Sequence, residues 1–455
     1  MGSGCARGAW LPQPAQSRAV MNPSVADAGR CASKHDATDG RNGSDEDNLF
    51  NHPELALRNL EALARCGGNY VRCTLSCRDP GNVWPFAEVG GRYDLSRFNP
   101  EFWGRLRRFL REAYERGVIV QVEIWDPHDF WDWGSDGPWS QSPWSPSMNV
   151  NYKAGDTILS ESWPHHPSHR PNPFFLAPER GDAVLLEYQE RFVARVLEET
   201  LEFPNVLYCI DNEARASPEW SLHWARFMRE RAKEAGVELQ LAEMWDPWDL
   251  RHELHRVTYE HPELFTFVEV SQNNWSSGRV HYDRLIWLRG VLERSGRPRP
   301  MNNVKIYGAP RPREPAIPAL NVDRFWRCIF AGCANARFHR PPTGIGLSPL
   351  SQAVIRAART FASSFDIFSS EPRPDLVESP REAYCLAKPG EAYALYLPSG
   401  GRVRLKADCR GSVECLCLNP EGSSFTAREV RRVEEEVQLR APSEATWLAL
   451  VLPRA

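Results

Sequence analysis

Helical and strand-like patterns of apolar residues take turns along most of this chain. PELALRNLEALARCG spaces Leu and Ala at helical intervals and stops at Gly67-Gly68. NYVRCTLS then reads as a short strand. RFNPEFWGRLRRFLREAYERG predicts a helix with Phe98, Phe102, Leu106, Phe109 and Leu110 on one side, and VIVQVEIWD predicts the strand after it. The alternation resumes with the helix LLEYQERFVARVLEETL, the strand NVLYCIDNE, the helix EWSLHWARFMRERAKEAG and the strand VELQLAEMWD. It continues through HELHRVTYEHPE, LFTFVEVSQNN, YDRLIWLRGVLERSG, PMNNVKIYG, VDRFWRCIFAG and ANARFH to the helix SPLSQAVIRAARTFASSF. Strands separated by helices predict a parallel sheet with right-handed crossovers. The expected fold is a (β/α)8 TIM barrel. Seven strands are legible, so the first is missing or hidden in the irregular N-terminal segment. A start that falls short of that strand is a further reading.

The pattern changes at both ends. Residues 1–48 are rich in Gly, Ser, Asp, Asn and Arg with little periodicity, and are expected to be disordered or irregular. The barrel is expected over 49–370. From 371 to 455, AYCLAKPG, AYALYLPSGG, RVRLKAD, SVECLCLNP, EEVQLRAP and ATWLALVLP are short alternating runs between Gly/Pro turns, which predicts a small antiparallel β-sandwich. The charged run RVEEEVQ reads as a strand or turn edge. Within the barrel, the Trp/Pro/Ser/His stretch from about 127 to 177 is too long for an ordinary connector and reads as a lid or wall.

One pattern occurs twice: EIWDPHD at 123–129 and EMWDPWD at 243–249. Each lies at a predicted strand end that Pro127 or Pro247 closes. Period-2 alternation puts Gln121, Glu123 and Trp125 on one face and Val120, Val122 and Ile124 on the other. The polar face suits the barrel mouth, so the two copies are expected to form two walls of one pocket.

Composition narrows the partners. The 455 residues carry a net charge of −4 with no basic face, which argues against nucleic acid. No run of 18 apolar residues predicts a membrane span, and the N-terminal stretch lacks the apolar core of a signal peptide. As the sequence stands the expectation is cytoplasmic; export would follow if the N-terminus is misassigned. The 12 Cys show no zinc spacing and read mostly as small buried residues of a reducing compartment. WPHHPSH, with His165, His166 and His169, has no acidic ligand at a fixed offset, so neither a metal nor another cofactor is expected. GIGLS at 344–348 lacks the Lys of a phosphate loop. Oligomeric state is not legible.

The sharpest chemical signal is NVLYCIDNEA, a strand ending in Asn212-Glu213 before a loop. It resembles clan A glycoside hydrolases. With GGNYVRCTLS, GNVWPF, VQVEIWD, VEVSQNN, MNNVKIYG and ARFHRPPTGIGLS, the resemblance extends over about 55–455 to a group of cellulase-like barrel proteins. These end in a small β-sandwich of the kind labelled a collagen-binding domain. The resemblance implies Glu213 as general acid/base, with Asn212 holding the sugar hydroxyl beside the scissile bond. A proton donor of that type needs a raised pKa in a partly apolar cleft. It also implies a nucleophilic Glu at the seventh strand, where this chain has Lys305. An amine cannot take that part in a retaining double displacement. Three readings stay open. A different carboxylate serves, with Glu269 and Glu243 first and Asp246 and Asp126 next; the reaction is inverting; or the barrel binds sugar without cleaving it. Lys305 then pairs with Glu269 or Glu243. The other expected sugar contacts are Arg72, Arg78, Glu123, Gln272, Asn273, Asn274, Arg337 and His339, with Trp125, Trp245 and Trp275 as stacking platforms.

Overall fold

The computed structural model describes residues 48–77, 81–132, 137–308, 318–340, 344–407, 411–422, 424–433 and 436–453. Residues 1–47 and Arg78 therefore lie outside it, and with them nearly all of the segment expected to be irregular.

In chain order the first part runs α1 (Pro53–Arg65), β1 (Tyr70–Thr74), β2 (Phe86–Val89), β3 (Arg92–Phe98), α2 (Pro100–Glu115) and β4 (Ile119–Trp125). Two short helices follow, α3 (Pro138–Gln141) and α4 (Ala177–Arg180), then α5 (Ala183–Thr200), β5 (Val206–Asp211), α6 (Pro218–Glu234), β6 (Leu241–Ala242) and α7 (Glu253–Glu260). The series closes with β7 (Val268–Glu269), α8 (Gly278–Arg294), β8 (Met301–Tyr307), α9 (Pro318–Phe330), β9 (Asn335–His339) and α10 (Pro349–Ser364). Strands β1, β4, β5 and β6 pair in that order, as do β7, β8 and β9. The ladders around the barrel are parallel. Thr266 joins the two sheets: its N–H donates to the Leu241 carbonyl at 2.9 Å, and its hydroxyl accepts from the Leu241 N–H at 2.9 Å.

This is a mixed α/β barrel-like arrangement of seven strands. β1 and β9 are end strands of the two sheets and meet at a seam. Side chains cross that seam: Arg72 Nη1 lies 3.4 Å from His339 Nδ1, and the Asn302 amide donates to the Tyr70 hydroxyl at 2.9 Å. GIGLS packs against the end of β9. Gly346 has φ +67°, and a Cβ on it would meet the His339 backbone at 2.5 Å. Ser348 caps α10 and donates to the Gly308 carbonyl at 2.6 Å.

Several expected elements change. Phe98 does not start a helix: it ends the hairpin β2–β3 and packs 5.9 Å from Phe86, while Asn99 caps α2. The runs VELQLAEMWD and LFTFVEVSQNN keep only two strand residues each, and SQNN coils into a 3-10 turn. The described residues of the 127–177 stretch pack through a set of aromatic side chains. Trp139, Trp144, Phe174 and Phe175 are buried, and Asn172 donates to the Phe130 carbonyl at 2.9 Å.

The C-terminal part is rich in sheet. Its strands are β10 (Glu371–Pro372), β11 (Val377–Glu378), β12 (Tyr384–Lys388), β13 (Ala392–Leu397), β14 (Arg402–Lys406), β15 (Gly411–Leu418), β16 (Phe425–Val433), β17 (Glu436–Arg440) and β18 (Trp447–Pro453). They form a six-stranded sheet, β10-β12-β13-β18-β15-β16, and a three-stranded sheet, β11-β14-β17. Alternation divides the larger sheet. Cys385, Tyr393, Leu395 and Val451 share an apolar cluster with Val403, Leu405, Val437 and Leu439 of the smaller one. Tyr384, Leu386, Ala394, Tyr396 and Leu450 join the cluster that contains Phe330 and Phe361 of α9 and α10. Of the nine described cysteines, all but Cys417 are buried.

Candidate functional site

The strand that ends in Asn212-Glu213 lies between β4 and β6. Asn212 N–H donates to the Trp125 carbonyl at 2.8 Å, and Ala214 N–H to the Met244 carbonyl at 2.7 Å. Between them Glu213 adopts φ +61°, the one non-glycine residue at positive φ among those described. A β-carbon makes that conformation costly, and such outliers concentrate at functional sites.

A cluster of charged side chains gathers at this point. Lys305 Nζ is 2.5 Å from Glu213 Oε1 and also donates to Asn212 Oδ1. His128 Nε2 lies 3.3 Å from Glu213 Oε2. Arg72 grips Glu123 through two nitrogens, Nε to Oε1 at 2.8 Å and Nη2 to Oε2, and its Nη2 reaches Asn212 Oδ1 at 3.1 Å. Arg72, Glu123, Asn212, Glu213, Lys305 and His339 therefore meet. Side chains of Arg72 and Glu123 are wholly buried, whereas Glu213 keeps 27% exposure.

Strand irregularity aims Lys305. In β8, Asn302 faces the barrel interior and Asn303 the helices, where its amide touches Cys328 Sγ at 3.2 Å. Strict alternation would send Lys305 outward with Asn303. The β8–β9 register shifts between Asn303 and Ile306, and a bulge of this kind re-aims side chains. The N–H groups it frees are met by side chains: Val304 N–H donates to Ser271 Oγ at 2.8 Å and Lys305 N–H to Asn303 Oδ1 at 3.3 Å. Arg337 Nη1 donates to the Val304 carbonyl at 3.0 Å. Arg337 thus holds the bulge in place.

Two expectations about Lys305 and Glu213 are corrected here. Lys305 pairs with Glu213, not with Glu269 or Glu243. The Glu213 carboxyl is not raised: burial pushes it up, but the Lys305 ammonium and His128 outweigh that and hold it well below the usual carboxylate range.

The other carboxyls diverge. Glu269 is buried, accepts the Ser271 N–H at 2.9 Å and the Gln121 amide at 3.4 Å, and burial pushes it up to about 7. Glu243 does not enter the mouth. Register pairs Glu123 with Cys209 and Cys209 with Ala242, so Glu243 falls one residue out of step and turns to the opposite face. There it accepts the Ser221 hydroxyl at 2.6 Å and the Asp211 N–H at 3.1 Å, and burial raises it to about 7. The two EXWDPXD copies are therefore not matching walls: Glu123 points in and Glu243 points out. Asp126 caps the 3-10 turn by accepting the His128 N–H at 3.1 Å, and Asp246 pairs with Arg215 at 2.5 Å.

Among the expected platforms, Trp125 lies in an aromatic cluster with Phe174, Phe192, Trp220 and Trp224. Trp245 is buried and donates to Thr258 Oγ1 at 2.9 Å. Neither offers a face to a ligand; Trp275 does, at 65% exposure. Gln272 accepts from Trp275 Nε1 at 3.1 Å. Asn273 donates to the His281 carbonyl at 2.9 Å, and Asn274 and Asn303 exchange amide hydrogen bonds at 2.8 Å. These asparagines hold the 3-10 turn against α8 and β8.

His128 was not anticipated, although it stands inside the repeated motif at a strand end. His166 packs 5.7 Å from the His128 ring and 4.6 Å from Trp131, which brings the wall segment over Glu213. Burial and the neighbouring His128 and His169 lower the His166 pKa. Among the described residues, no group of three or more His, Cys, Asp or Glu side chains could hold a metal ion. None of their helices is long and apolar enough to cross a membrane.

No family model matches the sequence, and no curated protein matches it. Solved structures do resemble the fold. One described as a glycoside hydrolase superposes with a TM-score of 0.59 at 11% identity, over 88% of this chain and 89% of that one. A family 5 glycoside hydrolase from Bacteroides vulgatus ATCC 8482 gives 0.58 at 10% identity, over 88% of this chain and 86% of that one. At such identities the likeness is one of fold: this chain has the fold of glycoside hydrolases of the family 5 type.

Proposed function

We propose that this chain binds a carbohydrate at the Glu213 end of its barrel without hydrolysing it. The observation that carries the reading is the Lys305–Glu213 ion pair. A glycosidic oxygen needs a proton as it leaves, and Glu213 held as a carboxylate has none to give. A retaining reaction also needs a second carboxylate about 5 Å away, at a place this chain gives to an amine. Glu123, which shares the Arg72 guanidinium with Asn212, is paired with Arg72. What remains is a set of fixed donors and acceptors, Arg72, Asn212, Lys305, His128 and His339, of the kind that orients sugar hydroxyls.

Hydrolysis is the second reading. The positive φ of Glu213 and the Glu269 carboxyl near 7 favour it, since the latter is about half protonated at neutral pH. Calorimetric titration with an oligosaccharide panel, run beside a reducing-sugar assay, separates the two. Binding without sugar release is the expected result. Release that falls about 10²-fold or more in Glu213→Gln would replace the binding reading with the hydrolytic one.

A further inference from the structure

Two tryptophans on neighbouring strand-to-helix connections stand out from the surface. Trp248, between β6 and α7, is 51% exposed, and Trp275, between β7 and α8, is 65% exposed. Such connections lie at the same end of the strands as Glu213. Neither ring hangs loose. The Arg284 guanidinium lies 4.3 Å from the Trp248 ring centroid, so one face is covered and the other is left to solvent. Arg284 is itself buried, held by Ser276 Oγ and by Asp249 at 3.5 Å. Trp275 is pinned through Nε1 to Gln272 Oε1 at 3.1 Å. One buried arginine thus ties the two connections together, stacking under Trp248 and bonding the residue next to Trp275.

We propose that Trp248 and Trp275 form an outlying platform on which an extended oligosaccharide chain lies as it leaves the central site. This rests on the carbohydrate-binding reading and adds to it the ligand class, a chain of several pyranose units rather than a mono- or disaccharide. A pyranose with equatorial substituents presents a flat face of C–H bonds, which packs against the electron-rich face of an indole. Its rim of hydroxyls needs polar neighbours. Polar neighbours in sequence are at hand: Ser277, Arg279, Arg251 and His252 are exposed within four residues of one ring or the other. A protein partner would ask for a continuous apolar patch, and the exposed residues that flank the rings in sequence are polar apart from Val280.

The probes are β-1,4-linked gluco-, xylo- and manno-oligosaccharides of two to six units, titrated by calorimetry against the intact protein, Trp248→Ala and the Trp248→Ala/Trp275→Ala double variant. Wild-type affinity is expected to rise with chain length. The double variant is expected to lose about 10-fold or more for the hexamer and less than about 2-fold for the dimer, with Trp248→Phe restoring part of the loss. Both rings are exposed, so the variants should unfold at the wild-type temperature. Equal wild-type affinity for dimer and hexamer, or variants that bind the hexamer like wild type, would overturn the platform and leave the central site standing. Failure to bind any of the oligosaccharides would overturn both.

Discussion

Glu213 combines two costs, a left-handed backbone and a desolvated charge, and Lys305 offsets the second. Removing the ammonium in Lys305→Met should leave the carboxylate its contact with His128 but not the lysine cation. The Glu213 titration, followed by carbon NMR of the side-chain carboxyl, should move upward. Stability should fall by about 1–3 kcal/mol at neutral pH in denaturant titration. The sign with pH follows from the depressed value. The pair's contribution is present above the unfolded carboxyl pKa of about 4.3 and is lost as pH drops through the folded one. An unchanged titration in the variant would mean that Lys305 does not govern Glu213. Glu269 runs the opposite way. Its folded carboxyl, near 7, keeps a proton that the unfolded chain gives up, so its contribution declines as pH rises from about 4.5 to 7 and is flat above. Glu269→Gln should remove that decline and gain on the order of 1–3 kcal/mol at pH 8. A stability profile with the same slope in wild type and variant would refute this.

At the level of elements, the helices and the central strands were legible because their periodicity is long. Helices α2, α5, α6, α8 and α10 carry repeated apolar faces, and β1, β4, β5 and β8 are strands of five to seven residues in which apolar side chains are the majority. The hairpin β2–β3 was not legible. Its strand RYDLSRF alternates polar and apolar residues without a long run, and Phe98 also fits the spacing of the helix after it. The site was half legible. Asn212-Glu213 follow the last residue of β5, where position alone suggests the mouth, whereas Arg72 sits midway along β1. Glu243 was misread because strand pairing, not its own sequence, sets which face it takes. Lys305 was misread because a bulge, invisible in MNNVKIY, turns it toward Glu213. Ser271 supports that bulge by accepting the Val304 N–H. Ser271→Ala should therefore weaken sugar binding several-fold while Lys305 stays chemically intact, a loss readable by the same calorimetry. Wild-type affinity in that variant would show the bulge to be self-sustaining.

Across the whole molecule, the central strands β12, β13 and β18 of the six-stranded sheet are buried on both faces, and α9 is fastened to the sheet by charge as well as by apolar contact. Arg327 bonds Asp323 at 2.7 Å, Glu382 at 2.7 Å and the Tyr384 hydroxyl, while the Tyr396 hydroxyl donates to Asp323 at 2.7 Å. Arg327→Ala would strand Asp323 beside buried tyrosines. It should cost about 2–4 kcal/mol and lower a single unfolding transition for barrel and sheets together. Two separated transitions in wild type would show that the two parts unfold independently.

The self-satisfied charges at the barrel mouth also bear on how a ligand arrives. Arg72 answers Glu123, Lys305 answers Glu213 and Arg215 answers Asp246, so little net field reaches into solvent from the opening. Encounter with a neutral glycan should then be governed by diffusion and fit alone. Stopped-flow association rates should change by less than about 2-fold between 20 mM and 500 mM salt, a range over which a steered ligand would slow by an order of magnitude or more.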